Sequence, residues 1–317
     1  MQIVSKPLQQ PKCSVIIPTH NSLEYLQQAV ASVQAQSFMN LEIIVVDDDS
    51  KDLTWEWLQM QQKQDPRIRP LRVSVHSPAK ARNAAITVAR GELIAFLDAD
   101  DTWLPQKLVH QVEFHNSHPD VLFSFSDYRH IGENGEDLGT CFEFWSGYDN
   151  LGAQKKCYSR LQGSASRLFA QNIVGTSTAM VKRSALDDVK GFDERLPSAE
   201  DWDLWLKLAL DGPVAIGNYC DTLYLMRPES ESSKTELRIR AMQQIYQRYQ
   251  HAISNSGTDA LRYAKARIAT AEAENWLSHN DPARAMLFHA KALCLAPTQR
   301  RFIETLVDIR LLFKGVN

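Results

Sequence analysis

The sequence lacks the glycine-rich loops with which many enzymes cradle phosphate. Its 13 glycines form neither G-x-G-x-x-G nor G-x-x-x-x-G-K, which argues against a nicotinamide-dependent dehydrogenase and a P-loop enzyme. Cysteine is sparse. The five present, Cys13, Cys141, Cys157, Cys220 and Cys294, are widely spaced without any C-x-x-C. That gives no zinc framework and fits reduced thiols. No histidines stand in H-x-x-x-H or H-E-x-x-H, and no serine stands in G-x-S-x-G, so neither a histidine zinc site nor a serine-hydrolase elbow is expected. A net charge of −3 supplies no positive field, and no nucleic-acid partner is expected. No apolar run approaches the roughly 20 residues of a membrane-spanning helix. The N-terminal residues before Cys13 hold no apolar signal core, so a cytoplasmic location is expected.

What the sequence does contain is a regular alternation of patterns. Apolar or β-rich runs at 13–18, 41–46, 68–75 and 92–97 alternate with helical stretches at 23–33, 54–64, 79–89 and 106–115. Strands separated by single helices imply parallel pairing with right-handed crossovers. In such sheets ligands bind beyond the carboxyl ends of the strands. From about 120 to 230 the pattern is mixed, with a hairpin around Gly132, Gly135 and Gly139 and a loop or lid over 141–162. Beyond 235 the strands stop, and 235–254, 258–279, 282–295 and 299–314 read as four helices. The alanine spacing at 283, 285, 290 and 292 weakly resembles half of a tetratricopeptide unit. The expectation is an α/β fold with a mostly parallel central sheet flanked by helices over residues 1–232, and a C-terminal α-helical appendage over 233–317.

Acids cluster where such a sheet would bind ligands. Asp98 and Asp100 flank Ala99 at the end of the run Leu93–Leu97. Carboxylates at i and i+2 can project to one side where a strand opens into a loop, and hard cations such as Mg²⁺ or Mn²⁺ take oxygen ligands. Asp47, Asp48 and Asp49 close the second run. Three adjacent carboxylates need hydrogen-bond donors, which a nucleoside offers. Asp49 or Ser50 also suits a helix N-cap. Lys80, Arg82 and Asn83 open the third helix, where cations oppose the macrodipole and call for an anionic partner. Glu200 and Asp201 open the amphipathic stretch Trp202–Leu210 and read as one unit with Gly191-Phe192-Asp193-Glu194. Acids there also serve the macrodipole alone.

Taken in order, SVIIPTHN, EIIVVDDDS, KARNAAI, GELIAFLDADD, GFDE and AEDWDLWLKLA resemble the inverting family 2 glycosyltransferases over about residues 13–230. The resemblance implies a GT-A fold, a nucleotide-sugar donor, a UDP-sugar first among them, and Mn²⁺ or Mg²⁺ as cofactor. It places Pro18, Thr19, Asn21, Asp47 and Asp48 at the nucleoside and Lys80, Arg82 and Asn83 near the diphosphate. Asp98 and Asp100 fall at the metal, with Ala99 between them beside the donor. Asp201 falls at the catalytic base, with Glu200 and Trp202 beside it at the substrate. The departure is Asp49, where the family often has glycine. The implied activity is inverting transfer of one sugar to a glycan, lipid-linked or small-molecule acceptor in surface glycan or glycolipid biosynthesis. A sugar nucleotidyltransferase of related fold and a non-enzymatic binding module are the alternatives. The basic amphipathic pattern of Arg300, Arg301, Arg310 and Lys314 with Phe302, Leu306, Ile309, Leu312 and Phe313 suits peripheral contact with the inner face of a membrane, or a homodimer formed through the tail helices.

Overall fold

The alternation seen in the sequence folds as strand and helix in the same order. A computed structural model describes residues 10–145, 147–148, 156–227, 235–254 and 258–314. The expected loop at 141–162 therefore lies partly outside the described residues. By contact the chain forms two units. The first holds residues up to 161 together with 174–192 and 212–226; the second holds 162–173, 193–211 and 227–317. Helix Glu200–Asp211 thus groups with the tail helices, although the strand pattern runs on to 226.

All strands lie in the first unit. β1 (Cys13–Thr19), β2 (Leu41–Asp48), β3 (Ile68–Val73) and β4 (Leu93–Phe96) pair in parallel in the order β3-β2-β1-β4. The helices α1 (Leu23–Gln34), α2 (Thr54–Gln64) and α3 (Pro78–Val88) make the crossovers. β5 (Thr102–Trp103) and α4 (Lys107–Ser117) follow. The remaining strands are β6 (Phe123–Gly132), β7 (Asp137–Thr140), β8 (Tyr158–Arg160), β9 (Met180–Lys182) and β10 (Val214–Met226). Short helices α5 (Cys141–Phe144) and α7 (Arg183–Asp188) also belong to this unit. β9 pairs antiparallel with both β4 and β6, while β10 runs parallel to β6. The α/β fold is as expected, but the sheet is mixed: parallel at one end, with parallel and antiparallel pairs at the other. The reversal arises at β9, a three-residue strand reached through the turn Thr176–Thr178 rather than through a crossover helix. Over 214–226 a single bulged strand, β10, runs.

β1, β2 and β4 are buried almost throughout, which is why they read as apolar runs, while the edge strand β3 is only half-buried. A polar clasp fixes their amino ends. Glu42, 1% exposed, accepts from Ser14 Oγ (2.6 Å), Arg90 N (2.7 Å) and Arg69 Nη1 (2.5 Å). Burial pushes its carboxyl up, yet these donors hold it below the ordinary glutamate value. Gly91 N donates to Ser14 Oγ at 2.9 Å. A Cβ on Gly91 would lie 2.5 Å from Ser14 N, so only glycine lets the chain pass before β4.

The second unit is helical: α6 (Ser164–Ala170), α8 (Glu200–Asp211), α9 (Thr235–Ser254), α10 (Thr258–Ser278), α11 (Pro282–Leu295) and α12 (Gln299–Lys314). Asp281 caps α11, accepting from Arg284 N at 3.0 Å, with Pro282 in its first turn. Alanines 266, 269, 292 and 296 line the α10–α11 seam, where small side chains allow close approach of the helices. A buried His289–Asp308 bond of 2.6 Å joins α11 to α12. Phe302, Ile303, Leu306 and Val307 of α12 are exposed. The side chains of Leu312, Phe313 and Lys314, part of the basic amphipathic pattern, lie outside the described residues. No described helix is long and apolar enough to cross a membrane.

Gly91→Ala is expected to cost about 1–3 kcal/mol by overpacking against Ser14. The check is a lower urea midpoint at unchanged slope; an unmoved midpoint would show that the Ser14 segment yields.

Candidate active site

In the first unit the motifs meet at the carboxyl ends of β1, β2 and β4. Asp48 is saturated by backbone. Its Oδ1 accepts from Val75 N (2.7 Å) and His76 N (3.0 Å), and its Oδ2 from Ser77 N (3.0 Å). It thereby shapes the loop that leads into α3. Asp47, fully buried, accepts from Ser50 N at 3.1 Å and faces Arg72 Nε at 3.5 Å. Asn21, at φ +47°, links the β1 and β2 loops: its N–H donates to Ser50 Oγ (2.9 Å) and its Oδ1 accepts from Lys51 N (2.7 Å). Thr19 Oγ1 lies 2.8 Å from Ser22 Oγ, and Pro18 is half-buried.

The expected capping by Asp49 or Ser50 is not what forms. The residue preceding α2 is Leu53, with no side-chain cap. Asp52 is the acid that accepts from Thr54 N, at 3.1 Å, and Ser50 is spent on Asn21. Ser22 likewise gives α1 no side-chain cap. Asp49 takes φ +59° and pairs with Lys51 at 2.8 Å. That left-handed backbone accounts for glycine as the common alternative there, since glycine carries no Cβ penalty.

Lys80 is exposed, while its N–H donates to the Ser77 cap at 3.4 Å. Arg82, 6% exposed, donates from Nη2 to Asp98 Oδ1 at 2.6 Å. Its guanidinium lies 5.5 Å from the Phe192 ring centre, and that ring packs edge-on to Phe96. Asn83 exchanges two bonds with the Phe192 backbone: Nδ2 to O at 2.9 Å, and Phe192 N to Oδ1 at 3.0 Å. Asn83 therefore anchors the Gly191-Phe192 turn. Gly191, at φ +61°, leaves the room that Asn83 fills.

Beyond β4 the aspartates divide. Asp98 and Asp100 are half-buried, Ala99 is buried between them, and Asp101 is 1% exposed. Asp101 accepts from Ser177 Oγ (2.5 Å) and Leu225 N (3.1 Å), and Ser177 Oγ in turn accepts from Asp98 N at 3.0 Å. Burial, then the charges of Asp98 and Asp100, push the Asp101 carboxyl well above its usual range. Among the described residues no cluster of three or more His, Cys, Asp or Glu is arranged to hold a metal. A donor set of two carboxylates nevertheless suits Mg²⁺ or Mn²⁺, which keep waters and phosphate oxygens in the shell. The negative charge pressing on Asp101 is what a cation would relieve.

In the second unit, Glu200 and Asp201 open α8, both half-buried. Asp201 Oδ1 accepts from Trp202 N at 2.6 Å. Trp202 is 1% exposed, and its indole donates to Leu168 O at 2.7 Å. The next acid does different work. Asp203, fully buried, accepts from Arg248 Nη1 (2.5 Å) and Tyr249 Oη (2.8 Å) and pairs with Lys207 at 2.9 Å. Arg248 Nη2 also donates to Asp193 Oδ2 at 2.9 Å. Arg248 of α9 thus ties Asp193 of the GFDE motif to Asp203 of the EDWD motif. Asp203 stood in plain view two residues past Asp201. Nothing in the sequence pointed to Arg248, 45 residues further on.

Comparison with known proteins follows the same lines. The family model described as Glycosyl transferase family 2 matches residues 14–189. The chain is 32% identical over 225 residues to the "Putative teichuronic acid biosynthesis glycosyltransferase TuaG" of Bacillus subtilis, covering 70% of this chain and 82% of that protein. It is 31% identical over 223 residues to the Escherichia coli "UDP-Glc:alpha-D-GlcNAc-diphosphoundecaprenol beta-1,3-glucosyltransferase WfaP", covering 69% and 79%. Among solved structures, the mannosyltransferase PcManGT from Pyrobaculum calidifontis, in complex with GDP-Man and Mn²⁺, matches with a TM-score of 0.60 at 20% identity, covering 97% of this chain and 87% of that one. Several other curated relatives are longer, and the chain spans less than half of their length.

Arg195 first, and also Arg248, hold the Asp193 carboxyl well below the usual carboxylate range. A depressed carboxyl adds stability at pH values above its unfolded value of about 3.9. That stability drains away as pH falls through the folded value. The urea midpoint of wild type should therefore exceed that of Asp193→Asn at about pH 6, and the gap should close on acidification below about pH 4. A gap independent of pH would mean that the charge is not what Asp193 contributes.

Proposed function

Since the chain belongs to glycosyl transferase family 2, we propose that it transfers one sugar from a nucleoside-diphosphate sugar, a UDP-sugar first, to an acceptor hydroxyl with inversion. The observation that carries this reading is the Arg82–Asp98 bond at the end of β4, with Asp100 half-exposed beside it. A guanidinium and two carboxylates at a strand end suit a diphosphate and its counter-cation. The other donor-side assignments rest on the same family motifs: Pro18, Thr19, Asn21, Asp47 and Asp48 at the nucleoside, Lys80 and Asn83 toward the diphosphate. In this reading Asp48 acts through the loop it shapes, and Asn83 through the Gly191-Phe192 turn.

Asp98 and Asp100 would hold Mn²⁺ or Mg²⁺. A bound cation would offset the charge building on the leaving diphosphate. Asp201 takes the proton of the acceptor hydroxyl as that oxygen attacks the anomeric carbon, and attack from the face opposite the diphosphate inverts the centre. Glu200 and Trp202 frame the base on α8. The catalytic region covers residues 1–232, and the extension, 233–317, supplies Arg248 to α8. The names of TuaG and WfaP support glycan synthesis on a lipid-linked or polymeric acceptor. A cytoplasmic enzyme, meeting its acceptor at the inner face of a membrane, fits that class.

Asp201→Asn is expected to lower kcat by about 10²–10⁴ while the donor dissociation constant stays put, read by radiolabelled transfer and by calorimetry. Wild-type turnover in this variant removes Asp201 as the base. Asp98→Asn should raise the Mn²⁺ concentration needed for half-maximal donor binding; unchanged cation dependence would take the metal away from this pair.

A further inference from the structure

Arg267 lies on α10 with its guanidinium 4.4 Å from the ring centre of Trp202. Trp202 is held in turn by its bond to Leu168 O and by the Phe169 ring. The side chain is only partly exposed, and Nη1 is enclosed without a hydrogen-bond partner among the described residues. Two further arginines act on it from neighbouring helices, Arg238 on α9 and Arg301 on α12. Their own fates differ. Arg238 is paired through Nη2 with Glu274 at 2.9 Å, and Arg301 through Nη1 with Ala296 O at 2.7 Å. Arg238 Nε is a second enclosed donor without a partner among the described residues. Burial, joined by the charge of Arg238, lowers the Arg267 guanidinium to about 9, and the acid that acts in the other direction is Asp201.

A guanidinium carries five donors, and leaving donors unmet in a desolvated place is costly. A structural arginine would be expected to have a carboxylate or carbonyl built for it, as Arg248 has Asp203 and Asp193. Arg267 has an aromatic plate instead, which fixes the plane of the fork, and the residue as a whole remains partly exposed. Fixed, planar and fork-shaped, it matches the oxygens of a phosphate. The neighbouring Asp201 also loses its charge whenever it takes a proton, which leaves Arg267 short of negative charge at that moment.

We propose that Arg267, seated on Trp202 and supported by Arg238, binds a phosphoryl group of the acceptor, so that the acceptor is a phosphate- or diphosphate-bearing molecule. The proposal rests on the transferase reading for the word acceptor, and on the second unit's own geometry for the site. Transfer in that case requires no new covalent step: the phosphoryl group is a handle and stays intact.

The test uses inorganic phosphate on the full chain in EDTA at constant ionic strength, read as a rise in melting midpoint relative to each variant's own baseline. Wild type and Arg82→Gln should both rise, and Arg267→Met, which keeps a stem over Trp202, should not. Arg267→Lys, the more conservative change, should weaken phosphate by about tenfold, the loss of one charge-assisted bond. Glucuronate at matched ionic strength should give no rise. A rise retained in Arg267→Met, a rise lost only in Arg82→Gln, or an equal rise with glucuronate overturns the proposal. Donor hydrolysis and transfer, measured in parallel, keep the two readings apart. Phosphate binding without any donor turnover would sink the transferase reading alone, and normal Asp201-dependent transfer without phosphate binding would sink this one.

Discussion

The Asp101 carboxylate is almost wholly buried, and it stays there because Ser177 Oγ and Leu225 N donate to it. Three separated stretches of chain meet at that group: the loop after β4, the turn 176–178 and strand β10. The same Ser177 oxygen accepts the N–H of Asp98, and Ser177 O accepts the indole of Trp103 at 2.7 Å. A buried carboxyl group with unmet oxygens is costly whether or not it is ionised. The loop that presents Asp98 and Asp100 is therefore set by an acid that itself faces inward. The reversal of the sheet at β9 serves the same joint, because it brings the turn holding Ser177 alongside the end of β4.

The second unit repeats the device with side-chain donors alone. Asp203 is taken out of water on α8 and met by Arg248, Tyr249 and Lys207. Burying such a pair adds little net stability, but breaking it leaves a charge without compensation. What the pair secures is register: α8 cannot slide along α9 without stranding Asp203. The residue two positions earlier, Asp201, inherits that precision. The tail helices are thus part of what positions the candidate base, whatever else their exposed apolar residues do.

Much of this was legible in the sequence because the strongest patterns have local causes. The buried strands β1, β2 and β4 read as apolar runs, and α11 starts where Asp281 and Pro282 set a cap whose preferences act within a turn. The reversed strand β9 lies in the stretch that reads as mixed, since the partners that make it antiparallel are set by tertiary packing. The same holds for the loop acids. Asp49, Ser50 and Asp52 are all good caps by type, and which one accepts from Thr54 depends on Asn21 having already engaged Ser50. Arg248 and Arg267 were invisible because an arginine on an amphipathic helix looks alike whether it faces water or a buried aspartate.

A sharper lesson lies in how the acid motifs are divided. In Asp98-Ala99-Asp100-Asp101 the last member is buried as a brace and the first and third are half-exposed. In Glu200-Asp201-Trp202-Asp203 the last member is again the brace. In Asp47-Asp48-Asp49 the first two turn inward and the third faces Lys51. A carboxylate offered to a ligand must be held still, and burying another acid one to three residues away does so locally. This explains why the acids come in tight groups, despite the repulsion that grouping brings. It also explains why residue type and spacing could locate each group but could not say which member turns inward. Only the donors, supplied from distant segments such as Ser177 and Arg248, decide that.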